Sequence, residues 1–152
     1  MEPHLVVTYT NSLPPGLYWR NPIPASGAHR GDIVIACVPD RFAAIGFARG
    51  FLEAGLCNGV EPVLKRVAAR AGDSVELAAA GVRVNLTLLP GSGAVASDGF
   101  GRTIPHVAYR RYRLSPGEYW LTTPKPNGFD SRYFGIVRDV RAVAFPLVTF
   151  DV

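Results

Sequence analysis

Hydrophobic and polar positions along the chain predict a mainly β protein built from many short elements. Residues 6–10 are β-branched or aromatic, which favours a strand. Residues 31–38 (GDIVIACV) form an apolar run after a Gly-Asp turn and predict a buried strand. Residues 81–89 (GVRVNLTLL) alternate apolar with polar positions and predict one half-buried strand. Further strands are predicted over residues 63–67, 75–77, 117–123 and 137–150.

One stretch of the chain has helical spacing. Residues 40–55 place apolar side chains three or four positions apart, with Gly55 as the expected end of the helix. We therefore expect one or two short helices beside the strands. Residues 90–108 are rich in Gly, Ser and Pro and predict a long loop, of a length that is often functional in a compact domain. Residues 124–135 predict a structured loop.

The composition is that of one folded domain, which we assign to residues 1–152. Hydrophobic residues make up 48% of the chain and charged residues 18%, so a sizeable core can form. The net charge of +4 is modest. Residues 109–113 (YRRYR) cluster basic and aromatic side chains, as a base-stacking surface does. Alternating charge on an exposed strand explains this cluster better, so no nucleic acid partner is expected.

Cysteine and histidine positions bear on metals and on the cellular compartment. No pair of these residues has ligand spacing, so we expect no metal or cofactor. Cys37 and Cys57 leave the compartment open, since such a pair is usually free in the cytosol and a disulfide in an exported protein. No run approaches the roughly 20 apolar residues of a membrane span, and no signal peptide is evident. Because only eleven residues precede Ser12, we expect that a native N-terminal anchor is absent from this chain.

Ser12 follows the first predicted strand at a bend. Pro14, Pro15 and Gly16 come directly afterwards, and these residue types fix a turn. The hydroxyl is therefore held on a rigid bend at a strand end. Such a bend is either a tight connection or a way of presenting the hydroxyl to a substrate.

Lys65 lies inside an apolar run, VEPVLKRVA. Strand alternation puts Lys65 and Arg66 on opposite faces, so one of these cations must share a face with aliphatic neighbours. A buried lysine acts as a base near neutral pH if its pKa falls about three units, which is roughly 4 kcal/mol of desolvation. The neutral amine can then take the proton of a serine hydroxyl. The alternative is a lysine at a strand edge whose ammonium group reaches water.

Four segments resemble the type I signal peptidase (leader peptidase) family in order and wording, above all its TraF-type branch of pilin-maturing peptidases. They span residues 6 to about 137 and read TNSLPPGLYW, GDIVIACVP, EPVLKRVAARAGDSV and GEYWLTTPKPNGFDSRYFGIV. The resemblance implies a compact signal-peptidase-like β domain that acts as a serine peptidase. It favours the catalytic interpretation of Ser12 and Lys65, as nucleophile and general base.

The resemblance also implies supporting residues. Thr10 matches a small hydroxyl residue that helps the Ser12 backbone N–H form an oxyanion hole. Asp130 and Arg132 match a late Asp-Ser-Arg motif that braces the site through an ion pair.

One position departs from the family pattern. Leader peptidases place a serine, hydrogen-bonded to the lysine, two residues before the motif's aspartate. This sequence has Gly128 there. We therefore expect Asp130 or Ser131 to orient Lys65 instead.

The resemblance implies a substrate and a location. The expected function is cleavage of a pilin precursor during conjugative plasmid transfer, next to the transfer and type IV secretion machinery. In TraF-type relatives an amine attacks the acyl-enzyme, so the pilin ends are joined into a ring. The expected location is the periplasm, with the native protein anchored to the inner membrane. A disulfide between Cys37 and Cys57 is expected there.

Such enzymes bind their peptide as an added strand, with pockets for small side chains. The apolar side chains near the bend either line this groove or face the membrane surface. These are Val6, Tyr9, Leu13 and Leu17.

Three alternatives stay open. A general signal peptidase that cleaves exported preproteins is less favoured, because the larger leader peptidases carry an extra β domain that does not fit 152 residues. A non-catalytic pilus assembly or peptide-binding factor would not need both Ser12 and Lys65. A self-cleaving repressor would need a cleavage site and a DNA-binding domain before the nucleophile.

Overall fold

The structure is a computed structural model that describes residues 4–8, 13–95 and 97–150. Two helices are present there, α1 (Asp40–Ala48) and α2 (Ser131–Phe134). The strands are β1 (Leu5–Thr8), β2 (Gly16–Asn21), β3 (Ile33–Ala36), β4 (Ala54–Cys57), β5 (Val63–Ala69), β6 (Ser74–Ala78), β7 (Gly81–Val84), β8 (Thr87–Leu88), β9 (Arg111–Arg113), β10 (Trp120–Thr122) and β11 (Val140–Thr149). The prediction of a mainly β protein with one or two short helices is confirmed.

Two antiparallel sheets contain all of these strands except β4. The larger has the order β1-β2-β11-β3-β5-β10, and the smaller has the order β8-β7-β6-β9. A turn at residues 70–73 leads from β5 into β6 and so connects the two sheets. Strand β5 lies between β3 and β10, and all of its residues except Arg66 are buried.

The larger sheet is buried on both faces near its centre, which explains the continuous apolar run of β3. One face packs against Phe42 of α1, and the other packs around Tyr18 and Leu64. The smaller sheet packs around Trp120 and Tyr112, whose ring centroids lie 5.3 Å apart. Hydrophobic burial on both faces of the sheet thus holds β5, the strand that contains Lys65 and Arg66, in place.

The helix predicted over residues 40–55 is shorter in the structure. Helix α1 ends at Ala48, because Arg49 caps it and Gly50 then turns the chain with a φ of +75°. The backbone N–H groups of Phe51 and Leu52 both bond to the carbonyl of Gly46. The two apolar residues counted for the helix therefore lie in a turn, and Gly55 lies in β4.

The prediction of a single strand over residues 81–89 is wrong. The segment is a hairpin of β7 and β8 that reverses at Asn85 and Leu86, with φ values of +47° and +76°. A two-residue turn of this kind usually has the sequence Asn-Gly. With Leu86 in the second position, the sequence pattern did not indicate a turn. The Asn85 side chain holds the turn by donating to Asp73 Oδ1 and accepting from Ser74 N.

The boundaries of the other predicted strands and of the long loop agree with the structure to within a few residues. The strand predicted over 117–123 is shorter, since residues 115–118 form a turn before β10. The strands predicted over residues 137–150 are one long strand, β11 (Val140–Thr149), with an irregularity between Pro146 and Val148. The loop over residues 90–108 is confirmed, with one isolated bridge between Ser97 and Thr103 in its described part. Strand β2 was not anticipated, because the prolines before it predicted only a turn.

Candidate active site

A cleft of about 1160 Å³ opens beside β1 and β5. Its walls come from these strands, from β3, from the turns around α1 and β4, and from the loop before α2. The lining residues are Val6, Val7, Thr8, Ile35, Phe51, Leu52, Glu53, Glu61, Pro62, Val63, Leu64, Lys65, Lys125, Asn127, Gly128 and Phe129. The cleft therefore has a mixed lining of apolar and polar side chains, and Lys65 is the buried cation on its wall.

Lys65 is the cation that β5 turns inward. It shares a face with Val63 and Val67, it is paired with Val34 of β3, and only 3% of the residue is exposed. Arg66 lies on the other face, exposed, and donates to the carbonyl of Gly31. Alternation left open which cation is buried, and the structure answers that it is Lys65.

Burial sets the proton affinity of this amine. Desolvation lowers the pKa of Lys65 from 10.5 to about 8. The nearby Asp130 carboxylate opposes this change by raising the pKa, and the Arg132 guanidinium adds to the lowering. A substantial fraction of Lys65 is therefore neutral at mildly alkaline pH, which is the state that a general base requires.

Asp130 and Arg132 form a buried ion pair behind the cleft. Each side chain is 2% exposed. Asp130 Oδ1 accepts from Arg132 Nε at 2.8 Å and from its backbone N at 3.0 Å, while Oδ2 accepts from Arg132 Nη2 at 2.9 Å. Asp130 also caps the first turn of α2. The expected ion pair is thus present, with the two-point geometry that makes such pairs strong.

The ion pair ties together segments that are distant in sequence. Asp130 Oδ2 accepts from the backbone N of Thr123 at 2.9 Å. Arg132 Nη1 donates to the carbonyls of Pro126, at 2.6 Å, and Gly91, at 3.1 Å. The pair therefore fixes the loop that follows β10 and the start of the long loop.

The two residues expected to orient Lys65 have different surroundings. Ser131 Oγ is buried and accepts from the backbone N of Leu121 at 2.8 Å, which links α2 to β10. Asp130 is close enough to Lys65 to act on its pKa. Of the two expected residues, Asp130 therefore has the clearer electrostatic effect on the amine. Whether either one orients Lys65 in turnover stays a prediction.

Ser12 and Thr10 lie outside the described residues, as does Tyr9. Described residues lie on both sides of this segment. Thr8 and Val6 line the cleft. Leu13 is buried, in a cluster with Tyr18, whose hydroxyl donates to the carbonyl of Pro14 at 2.6 Å.

The sequence interpretation missed Thr123, which is only 3% exposed. It follows β10 directly, and β10 pairs with β5 so that Thr122 is opposite Arg66. No local pattern distinguishes this threonine from Thr122 before it, because the pairing of β10 with β5 is a long-range contact. Phe51, Leu52 and Phe129 of the cleft wall were missed for the same reason.

Cys37 and Cys57 form a disulfide, as expected, with their Cα atoms 5.5 Å apart. The bridge joins the residue after β3 to the last residue of β4. Among the described residues, these two cysteines and Asp139 form the one group of possible metal ligands. Since both sulfurs are bonded to each other, this group does not fit a metal.

Exposed apolar side chains form two rows across β1, β2 and β11. Leu5, Trp19 and Phe145 are neighbours in one row, and Val7 and Val148 flank Leu17 in the other. Val7 also lines the cleft. An apolar face therefore continues from the cleft over this edge of the sheet. In the part of the chain that the structure describes, no helix is long and apolar enough to cross a membrane.

Residues 4–145 match the family described as signal peptidase, peptidase S26. The chain therefore belongs to the signal peptidase family, and its similarity within that family is to TraF proteins. It is 35% identical over 150 residues to the plasmid transfer protein TraF of Escherichia coli, covering 95% of this chain and 82% of that one. It is 34% identical over 151 residues to the conjugal transfer protein TraF of Agrobacterium fabrum, with the same coverage.

A crystal structure of signal peptidase I from Enterococcus faecalis aligns with 80% of this chain and 97% of its own, at 18% identity and a TM-score of 0.44.

Proposed function

We propose that this protein is a serine endopeptidase in which Ser12 is the nucleophile and Lys65 the general base. The observation that carries the proposal is Lys65 itself. A lysine that is buried on the wall of a cleft, with its pKa lowered to about 8, opposes folding while it is charged, so its burial points to a use for the neutral amine. Membership of the signal peptidase family supplies the class of reaction.

The proposed chemistry conserves protons in each half of the reaction. The neutral Lys65 amine takes the hydroxyl proton of Ser12 as its oxygen attacks the substrate carbonyl, and the ammonium then gives that proton to the departing amine. Thr10 and the Ser12 backbone N–H hold the oxyanion. Water, or the amine of the substrate's other end, next attacks the ester while the neutral Lys65 takes a proton from it, and the ammonium then gives that proton to the departing Ser12 oxygen. Water gives a linear product and the amine gives a cyclic one.

Neighbouring residues support a meeting of Ser12 and Lys65. Leu13, which follows Ser12, packs in the same buried cluster as Leu64, which precedes Lys65. Thr8, four residues before Ser12, lines the same cleft as Lys65. Both sides of the segment that carries the nucleophile are thus anchored near the base.

The shape of the cleft favours a peptide substrate. Its volume of about 1160 Å³ is larger than that of most small-molecule pockets, and β1 forms the outer strand of the described sheet beside it. An extended peptide can pair with such an edge and place small side chains into the cleft. Given the similarity to TraF proteins, we propose a pilin precursor of conjugative transfer as the substrate.

We further propose that the domain works in the periplasm, at the membrane surface and beside the conjugative transfer machinery. The Cys37–Cys57 disulfide fits an oxidising compartment. The apolar face around Trp19 and Phe145 fits a membrane surface that also delivers the substrate. An inner-membrane anchor in the native protein belongs to this proposal.

The test is mass spectrometry of a candidate pilin precursor after incubation with the protein. Cleavage by the unchanged chain is expected, and the mass of the product separates a linear chain, which has gained water, from a ring, which has not. Ser12→Ala and Lys65→Ala are expected to abolish the product. Arg66→Ala is the matched control, because Arg66 is the neighbouring cation on the opposite face of β5. Product formation by Lys65→Ala would refute the mechanism.

A further inference from the structure

Strand β9 forms an edge of the smaller sheet, where it pairs with β6 alone among the described strands. Its residues Arg111 and Arg113 are exposed, whereas Tyr112 between them is buried. No strand in the part of the chain that the structure describes covers the other side of β9. An uncovered edge of this kind is a template for a further strand.

The backbone groups of the two arginines point away from the sheet. The N–H of Leu77 in β6 donates to the carbonyl of Arg110, the residue before β9. In an antiparallel pair only every second residue of a strand bonds to the neighbouring strand, so Tyr112 bonds to β6 as Arg110 does. The N–H and C=O groups of Arg111 and Arg113 therefore face the open edge.

Positive charge is concentrated along this edge. Alternate residues of a strand share a face, so the Arg111 and Arg113 side chains project from the same side of β9, about 7 Å apart. Glu76 of β6 is opposite Arg111, with 3.5 Å between its Oε2 and Arg111 Nη2, and both side chains are exposed. Arg113 is opposite Ser74 and forms no ion pair with any residue that the structure describes. An exposed pair contributes little, so the edge keeps an excess of positive charge.

A concavity of about 380 Å³ lies over the same face of the smaller sheet. Arg111, Arg113 and Arg83 of β7 are among its lining residues. None of the residues that line it also lines the cleft that contains Lys65. The edge and this concavity thus form a site separate from the proposed peptidase site, with room for anionic side chains beside the guanidinium groups.

The charges and the backbone select what can occupy this edge. A second copy of β9, paired antiparallel about Tyr112, would place Arg111 opposite Arg113, which is destabilising. Stacked bases need exposed rings, but the Tyr112 ring is buried against Trp120. An anionic membrane has the charge but offers no backbone groups to pair with the edge. An extended peptide segment with acidic residues at alternate positions has both the complementary charge and the spacing.

We propose that β9 binds an extended acidic segment of a partner protein, which adds to the smaller sheet as an antiparallel strand. Antiparallel pairing continues the pattern of the described pairs in this sheet. Acidic residues of the segment lie opposite Arg111 and Arg113, exchange backbone bonds with them and place carboxylates against their guanidinium groups. The site goes beyond the proposed peptidase function and does not depend on it.

Binding of a labelled peptide, measured by fluorescence polarisation, tests the proposal. The probe is a short fluorescein-labelled peptide in which glutamate alternates with threonine, because threonine favours a strand. Its binding should be saturable and should weaken as salt is added. The same peptide with lysine in place of glutamate should not bind. If the glutamate peptide fails to bind at low salt, the proposal is wrong and the arginines serve only to keep sheet edges apart.

Methylation of selected peptide nitrogens tests the backbone pairing. In the proposed register the glutamate N–H groups donate to β9, and the threonine N–H groups point away from it. Methylation of the glutamate nitrogens should therefore weaken binding far more than methylation of the threonine nitrogens, although both peptides have the same charge. Equal effects of the two modifications would show that the segment does not add as a strand.

Charge reversals in the protein locate the site. Arg113→Glu replaces an attraction by a repulsion and should weaken peptide binding about tenfold. Arg83→Glu is the matched control. It makes the same change of charge on the same face, since Glu76 is opposite both Arg83 and Arg111, but β6 separates its strand from β9. Its effect should therefore be smaller. Equal losses in the two variants would show that the peptide lies across the face of the sheet and not along its edge.

Two other anions separate an acidic segment from other sources of negative charge. Binding of phosphatidylglycerol vesicles and of a single-stranded oligonucleotide is expected to change little in Arg113→Glu. If that variant loses binding to either anion about tenfold while its binding to the peptide is unchanged, the edge takes a membrane or a nucleic acid and the proposal is overturned.

Discussion

Asp130 accepts the backbone N–H of Thr123 with the same carboxylate oxygen that accepts from Arg132 Nη2, and both bonds are 2.9 Å long. One carboxylate thereby connects the helix α2 to the residue that follows β10, the strand that pairs with β5. Its effects on stability and on the lysine are therefore expected to appear together in a single variant.

Asp130→Asn is expected to destabilise the fold and to lower the pKa of Lys65. The amide leaves the buried Arg132 without its counter-charge, at a cost of about 3–5 kcal/mol. The carboxylate also raises the pKa of Lys65, so its removal moves that pKa below about 8 and shifts the rise of activity to lower pH. Chemical denaturation measures the first effect, and a pH–rate profile of the folded fraction measures the second.

The control for this variant is Asp139→Asn. Asp139 and Arg141 are also two residues apart and paired, but their side chains are 50% and 48% exposed. Exposed pairs contribute at most about 1 kcal/mol, so little change in stability is expected. Equal losses in the two variants, or an unmoved pH profile for Asp130→Asn, would contradict the role given to the buried carboxylate.

The disulfide is expected to stabilise the fold without taking part in catalysis. Cys37 and Cys57 are 20 residues apart, and closing a loop of that length stabilises by roughly 3 kcal/mol in the chain-entropy model. Reduction should lower the midpoint of denaturation, whereas the Cys37→Ser/Cys57→Ser variant should show no further response to reductant. Two free thiols in unfolded, unreduced protein made under oxidising conditions would refute the bridge.

The apolar face of β1, β2 and β11 is expected to bind membranes. Phe145→Glu puts a charge into the exposed row that contains Leu5 and Trp19. Binding to vesicles of phosphatidylethanolamine and phosphatidylglycerol should fall at least tenfold in a sedimentation assay, because a charge at the apolar boundary is poorly solvated. Leu86→Glu is the control, since Leu86 is also exposed but lies on the turn of the smaller sheet. Equal binding by both variants would exclude this face.

Local patterns predicted much of the fold but little of the site's supporting structure. The buried strand β3 follows from its own apolar run, whereas the ion pair of Asp130 and Arg132 was implied by the family resemblance of a short motif. The inward orientation of Lys65 depends on the partners of β5 on both sides, and the position of Thr123 depends on the pairing of β10, which it follows, with β5. The hairpin turn at Leu86 was not predicted from the sequence, because its positive φ is imposed by strand pairing and leucine does not favour that conformation.

The pH dependence of cleavage is expected to report the buried amine. Lys65 acts as a base only when it is neutral, so activity should rise with pH through a pKa near 8 and level off above it. Lys65→Arg should be inactive, because a guanidinium group stays charged at any usable pH. The measurement is kcat/KM on a cleaved pilin peptide. A flat profile between about pH 6 and pH 9 would contradict a lysine base.

Replacement of Lys65 by methionine is expected to stabilise the protein while it abolishes cleavage. The pKa of Lys65 falls from 10.5 to about 8 on folding, so the folded state holds the proton less tightly than the unfolded state. Below about pH 8 both states are charged, and the full penalty of roughly 3 kcal/mol opposes folding. As pH rises from about 8 to 10.5 the folded amine is neutral while the unfolded one still binds a proton, so the stability of the unchanged protein increases. Lys65→Met, which fills similar space with an apolar chain, should therefore raise the free energy of unfolding more at pH 6 than at pH 10. Denaturation at the two pH values measures this difference. If the variant is less stable than the unchanged protein at pH 6, burial of the charged Lys65 ammonium does not oppose folding, and the prediction is wrong.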